Sequence, residues 1–198
     1  MDTWADLYEK LYLMSPKDPS DIVVEGFQKV KTPCKVLDIA CGRGRNSVYA
    51  ASLGCEVDAI DIEDVNIFRT LENKIGERIN FSKKSIMDFG IKESNYGTVI
   101  ATRFFQYISP ENIQELLKRI GKGLVEDGLL MANYTANGGM LSRNDIEIEK
   151  YHHDLRHITD ELYGNSLNLE LIRKGEDTST VLPERPEVET YEFLARKR

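Results

Sequence analysis

The chain has 198 residues, enough for one domain with a sizeable core, and its 41% apolar and 30% charged content marks a folded globular protein rather than a disordered one. Its formal net charge of −7 argues against non-specific binding to nucleic acid, whose phosphates need clustered Lys and Arg. Cys34, Cys41 and Cys55 are odd in number and hold no Cys-x-x-Cys pair, which speaks against a disulfide framework or structural zinc. With no basic-then-apolar leader after Met1 and no apolar run of membrane length, the chain reads as one cytoplasmic domain over residues 1–198.

Residues 3–14 place Trp4, Leu7, Tyr8, Leu11 and Tyr12 at i, i+3, i+4 spacing, the pattern of an amphipathic helix. Its aromatic stripe serves either core packing or a lid over a substrate. Pro16 and Pro19 make a loop, and Asp21–Lys31 reads as a second helix capped by Ser20. Residues 1–31 thus form an N-terminal helical lid. Val36–Ala40 is the first strand, Arg45–Leu53 the first helix of the alternating part, and Gly54 its stop. Val57–Asp61 is a strand ending in a carboxylate, residues 64–75 read as a helix, Ile79–Ser82 as a short strand and Ser85–Phe89 as a loop holding Asp88. Thr98–Ala101 is a strand, Pro110–Leu124 a helix capped by Ser109, and Gly128–Tyr134 a buried strand. Residues 135–157 read as a long polar substrate-side loop, with a short helix over Arg143–Lys150. Thr159–Tyr163 starts another helix under a Thr159 cap. Leu167–Lys174 and Val188–Arg196 alternate as two strands of an antiparallel edge hairpin. Strand–helix alternation calls for a parallel sheet covered on both faces, with ligands at the carboxyl ends of its strands.

The stretch Val-Leu-Asp-Ile-Ala-Cys-Gly-Arg-Gly-Arg-Asn, Val36–Asn46, is a buried strand that passes through a glycine turn into a helix. Gly42 and Gly44 lack a Cβ, so a ligand can approach the main chain, and the helix start offers free N–H donors. A dinucleotide turn would need a third glycine at position 47, where the chain has Ser47, and a phosphate loop would need Gly-Lys-Ser or Gly-Lys-Thr. Asp38 lies under the turn instead. A carboxylate there repels a pyrophosphate and attracts an ammonium.

Asp38-Ile-Ala-Cys-Gly42-Arg-Gly44 resembles motif I of the class I methyltransferases that use S-adenosylmethionine, with Ala40 in place of the motif's first glycine. Arg45-Asn46-Ser47 and the aromatic N-terminal helix are similar to the branch of tellurite-resistance and thiopurine-type methyltransferases. The resemblance covers roughly residues 4–134. It implies a Rossmann-like, doubly wound α/β fold with a mostly parallel seven-stranded sheet and an antiparallel C-terminal edge hairpin. It also implies methyl transfer from S-adenosyl-L-methionine to a small molecule, with S-adenosyl-L-homocysteine as product.

Carried over by residue, Asp38 would approach the methionine ammonium, and Ala40, Gly42, Gly44 and Asn46 would form the cofactor turn. Asp61, 19 residues past Gly42, would accept both ribose hydroxyls, Ile62 would pack on the adenine, and Met87 N–H and Asp88 would meet its edge. Arg103, after the fourth strand, lies where cofactor and acceptor would meet. Tyr96-Gly97 departs from the family, many of whose members carry an acid near that strand's start.

Trp4, Tyr8, Tyr12, Tyr107 and Tyr134 are the substrate-side candidates. Arg103, Tyr107, His152 and His153 are the catalytic candidates, a base being needed only if the acceptor must lose a proton. His152, His153 and His157 with Asp154 read as a metal pair, a pocket or a solvated loop. No Cys or third placed carboxylate completes a metal site, so none is expected. A cofactor-binding sensor, an RNA or protein methyltransferase and a nicotinamide dehydrogenase are the competing readings. Ser47 and the lack of a basic appendage weigh against the last two kinds.

Overall fold

The computed structural model describes residues 18–64, 75–136, 139–143, 146–175 and 189–198. Strands β1 (Lys35–Ile39), β2 (Glu56–Asp61), β3 (Ile79–Lys83), β4 (Tyr96–Thr102), β5 (Leu124–Thr135), β8 (Leu167–Gly175) and β9 (Thr190–Lys197) form one seven-stranded sheet in the order β3-β2-β1-β4-β5-β9-β8. The first five are parallel neighbours, whereas β9 runs antiparallel to both β5 and β8. The order turns back at β1 and β4, so the carboxyl ends of those two strands flank the crevice where such sheets bind ligands.

Helices α1 (Asp21–Phe27) and α2 (Arg45–Ser52) cover one face of the sheet, and α3 (Pro110–Gly123) and α4 (Leu155–Gly164) the other. Strand pleating sorts the side chains between the two faces. Leu37, Ile39, Val99, Ala101, Leu130, Ala132 and Phe193 meet α3 and α4, while Val36, Ile100, Leu129, Met131 and Leu194 meet α1 and α2. Because both faces are covered, the strands read as near-continuous apolar runs. The stripe Ile113, Leu116, Leu117 and Ile120 is the buried side of α3, which starts on Pro110.

Several expected elements change. Helix α1 stops at Phe27 rather than Lys31, because Gly26 weakens its last turn and the Gln28 and Lys29 N–H groups bond back to the Glu25 and Gly26 carbonyls, respectively. Over 135–157 the chain forms neither a long loop nor a helix at 143–150. Strands β6 (Gly139–Arg143) and β7 (Ile146–Lys150) pair as an antiparallel hairpin, in keeping with the period-2 alternation of Ile146-Glu147-Ile148-Glu149. Helix α4 begins at Leu155, four residues ahead of the expected cap. Asp154 accepts from the Arg156 N–H at 2.7 Å, and the Thr159 hydroxyl donates back to Arg156 O instead. The helix expected over 3–14 and most of that over 64–75 lie outside the described residues. The antiparallel C-terminal hairpin stands as expected.

Helix α3 approaches the start of β8 so closely that a Cβ on Gly121 would lie 2.8 Å from Asn165 O, whereas a Cβ on Gly164 meets nothing within 4 Å. Replacing Gly121 by Ala should therefore lower stability by about 1–3 kcal/mol, against the usual gain of about 0.5–1 kcal/mol expected for Gly164→Ala. Urea midpoints of the two variants check the opposite signs.

Candidate cofactor and acceptor site

Between Ile39 and Arg45 the backbone adopts left-handed φ at alternate residues: Ala40 (φ 52°), Gly42 (φ 52°) and Gly44 (φ 73°). Ala40 pays for its Cβ in this conformation, at about 1–2 kcal/mol, and the surroundings must hold it there. They do so from β2. Cys41 N–H donates to Ile60 O at 3.0 Å, and Gly42 N–H donates to Asp61 Oδ2 at 2.8 Å. The other Asp61 oxygen accepts from Glu63 N–H at 3.0 Å. Asp61 is only 5% exposed. Burial holds its carboxyl above the ordinary range, and the Glu63, Gly42 and Ile62 N–H groups pull it back. A carboxylate has about four acceptor sites, so capacity to accept from a ligand hydroxyl remains beside these three N–H groups.

Asp38 lies beneath the turn at 1% exposure. Its Oδ2 accepts from the Ser47 hydroxyl at 2.5 Å. Burial pushes its carboxyl up to about 7, helped by the Asp61 charge and opposed by the Ser47 bond and Arg45. Ser47, which the sequence offers only as a missing glycine, is the group that ties α2 to this carboxylate. Cys41 is buried and its thiol is pushed well up by burial and both aspartates, so it packs as a small filler and does not act as a nucleophile.

Asn46 uses both ends of its amide within the protein: Oδ1 accepts from Ser20 N–H at 2.9 Å and Nδ2 donates to Thr102 Oγ1 at 2.9 Å. Arg45 adds bonds to Ser20 Oγ and Asp18 O. Together they pin the start of α1 to the end of β4.

Ile62, immediately after Asp61, is 48% exposed and offers a bare apolar surface beside the carboxylate. Lys84 N–H donates to Asp61 O, which brings the 85–89 turn alongside. In that turn Ser85 O accepts from Asp88 and Phe89 N–H, and Ser85 Oγ accepts from Met87 N–H at 3.2 Å. The Met87 N–H expected to face a ligand is thus already engaged. The Asp88 side chain is exposed. The turn's carbonyls converge on one guanidinium from α3: Arg119 donates to Ile86 O at 3.0 Å, Met87 O at 3.2 Å and Phe89 O. Arg119 gives only a faint sequence signal, its place beside the apolar stripe of α3.

At the end of β4, Arg103 holds φ 54°, and its N–H is shared by Asn133 O and Asn133 Oδ1, each at 2.8 Å. Gln106 Nε2 donates to Arg103 O, closing the 103–107 turn. Burial raises the Tyr107 hydroxyl against the opposing pull of Gln106 and Arg103, so it stays protonated. Tyr134, expected on the substrate side, has its ring in the core among Phe105, Phe193 and Tyr191. The β5 pleat sends it to the α3–α4 face. His152 is exposed, while His153 is buried. His153 Nε2 lies 2.8 Å from Ile108 O, so Nε2 carries the hydrogen and donates, and His153 N–H donates to Ala136 O at 3.1 Å. Burial lowers the ring's proton affinity, which keeps it neutral. This histidine clasps the turns that follow β4 and β5. Among the described residues no three His, Cys, Asp or Glu side chains gather as a metal site. Trp4, Tyr8 and Tyr12 lie outside the described residues.

The chain matches the family model described as "Tellurite resistance protein TehB" over residues 3–136. A "Probable S-adenosyl-L-methionine-dependent methyltransferase TehB" of Haemophilus influenzae is 33% identical over 94 residues, covering 46% of this chain and 32% of that protein. The chain thus spans about a third of the length of that curated relative. The crystal structure of TehB from Haemophilus influenzae has a TM-score of 0.72 at 22% identity, over 98% of this chain and 67% of that one. A 1,6-didemethyltoxoflavin-N1-methyltransferase of Burkholderia thailandensis, solved with S-adenosylhomocysteine, has a TM-score of 0.72 at 18% identity, over 97% and 81% of the two chains. The structural likenesses show a shared fold.

The Asp38 carboxyl titrates at 3.8 in an unperturbed setting and at about 7 in the fold. Its contribution to stability is therefore complete below pH 4 and is lost as pH rises through 7, since the folded state holds a proton the unfolded chain has released. Asp38→Asn should remove that loss, so that its stability gain over the native chain widens by about 3 kcal/mol from pH 5 to pH 8. Thermal melts across that range check it, a constant difference being the contrary result.

Proposed function

The chain belongs to the TehB family, and on that footing we propose that it is an S-adenosylmethionine-dependent methyltransferase of the cytoplasm acting on a small-molecule acceptor. The observation that carries this reading is the pair of buried carboxylates around the left-handed turn, Asp38 beneath it and Asp61 bonded to Gly42 N–H. Such a turn favours a cationic and hydroxyl-bearing ligand over a pyrophosphate. The residues fit the cofactor group by group. Asp38, whose buried carboxyl is held directly by the Ser47 hydroxyl, suits the amino-acid ammonium. The remaining acceptor capacity of Asp61 suits a ribose hydroxyl. The exposed Ile62 face suits a purine, and Asp88 suits an exocyclic amino group.

When bound, the cofactor supplies a methyl group already activated on a sulfonium. What the chain must add is position and exclusion of water. Gly42 and Gly44 let the main chain run beneath the ligand. Arg119 holds the 85–89 turn so that Asp88 stands at the purine edge. Arg103, set in strained backbone by Asn133, and Tyr107 bound the acceptor side. We assign His153 to positioning, since both its donors hold the turns after β4 and β5. We assign Tyr134 to backing the 103–107 turn through Phe105. A protonated Tyr107 and a His153 ring whose basicity burial weakens suit acceptors that arrive deprotonated or soft. The structural neighbour solved with bound 1,6-didemethyltoxoflavin, the family description naming tellurite and the net charge of −7 support a small acceptor over nucleic acid.

Calorimetry with S-adenosylhomocysteine should show one site per chain, weakened at least about 30-fold by Asp61→Ala, equivalent to about 2 kcal/mol. Absence of binding to the native chain would end this reading. Arg119→Leu should weaken binding about fivefold, and the loss should not add to that of Asp88→Ala, because both act on one contact. Release of S-adenosylhomocysteine in the presence of tellurite, thiols or small heterocycles separates an enzyme from a sensor. Binding without turnover on any of them would favour the sensor.

A further inference from the structure

Cys34 immediately precedes β1 and Cys55 immediately precedes β2, and the parallel register sets Lys35 opposite Glu56. The two cysteines are thus the next facing pair, on strands about 4.8 Å apart, a separation that disulfides span. Their sulfurs are 3.8 Å apart. Cys34 N–H also donates to Cys55 Sγ at 3.4 Å, and Cys34 Sγ lies 3.7 Å from Thr98 Oγ1. Gly97 of β4 packs closely on Cys34, where a Cβ would fall 2.8 Å from Cys34 Cβ and 3.4 Å from its Sγ. Arg78 is anchored on Gly54 O, next to Cys55. The S–H of Cys34, its N–H and the Arg78 charge bring Cys55 down to about 6 against the upward pull of burial, while the Cys55 contact and burial push Cys34 up. Cys55 is fully buried and Cys34 partly exposed, so only Cys34 faces a reagent. The pair sits at the amino ends of the strands, the far end of β1 from the turn that carries Cys41.

We propose that Cys34 and Cys55 form a peroxide-responsive dithiol that closes reversibly to an intramolecular disulfide. In the reacting form, a minor tautomer of the pair, the Cys34 proton has moved to the Cys55 sulfur across their contact, and the accessible Cys34 sulfur is the nucleophile. That sulfur attacks a hydroperoxide, the O–O bond breaks, and the departing oxygen takes a proton from solvent to leave as water or an alcohol. Cys34 is then a sulfenic acid. Cys55 sulfur attacks it, the S–S bond forms, the S–O bond breaks, and hydroxide leaves with the Cys55 proton as water. Two thiols lose two electrons in total and one peroxide bond gains them. The product ties β1 to β2 at the end away from the cofactor turn. It should therefore raise the melting temperature and leave cofactor affinity unchanged.

The test treats the reduced full chain with stoichiometric hydrogen peroxide, alkylates the remaining thiols and maps peptides without reduction. The expected product is a Cys34–Cys55 peptide lighter by two hydrogens, reversed by a dithiol reductant, with Cys41 alkylated. Cys55→Ser should stop at a Cys34 sulfenic acid trapped by dimedone, Cys34→Ser should react at least about tenfold more slowly, and Cys41→Ser should cross-link like the native chain. Three alkylatable thiols surviving in the native chain, a bond to Cys41, or a link between two copies would each overturn the proposal. Serine variants that melt with the native chain's cooperativity establish that lost cross-linking reflects lost chemistry.

Discussion

Everything at the crevice depends on one constraint: two carboxylates are kept where water scarcely reaches them. Asp61 uses its oxygens on the N–H groups of Gly42 and Glu63, and through Gly42 it holds a turn that would otherwise relax from its left-handed φ values. Asp38 takes the Ser47 hydroxyl and so fixes where α2 begins. Neither arrangement is cheap. Burial raises both carboxyls above their ordinary range, so near neutral pH the fold stores unfavourable electrostatic energy at the switch point of its sheet. A ligand bearing positive charge and hydroxyl donors relieves that cost, which is why the proposed cofactor suits this turn and a phosphate does not.

Around that centre the fold adds braces more than contacts. Arg119 reaches from α3 to three carbonyls of the 85–89 turn, Asn46 joins Ser20 to Thr102, and His153 joins Ile108 to Ala136. Each links elements distant in sequence, and each holds a loop that follows a strand end. A rigid parallel sheet supplies the platform, and these side chains convert its loops from surface connections into fixed walls. The same logic explains why Ala40 and Arg103, at the ends of β1 and β4, are held in left-handed backbone despite their side chains.

The parts legible in the sequence were those written in local chemistry. Asp38, Gly42 and Gly44 announce a strand–turn–helix, Asp61 lies one helix and one strand further on, and the apolar stripe of α3 shows its period plainly. What stayed hidden depends on partners far along the chain. Ser47 reads as a missing glycine until Asp38 is seen beneath it, and Arg119 is an ordinary helical cation until the 86–89 carbonyls surround it. Tyr134 sits at a strand end, where position suggests a pocket, but pleat parity turns it to the core and leaves the neighbouring Asn133 to meet Arg103. The 139–150 hairpin was lost because its alternation is short and half charged, and Asp154 outcompeted Thr159 as a cap by lying next to the first helical residue.

On the proposed reading Asp38 is the buried counter-charge to a ligand cation. Titrating S-adenosylhomocysteine at pH 7 in two buffers of different ionisation enthalpy measures the protons exchanged on binding. A ligand ammonium brought to Asp38 pulls its proton affinity down, so binding should release a substantial fraction of one proton per site, and Asp38→Asn should abolish that release. Binding with no net proton change, or with uptake, would contradict the account.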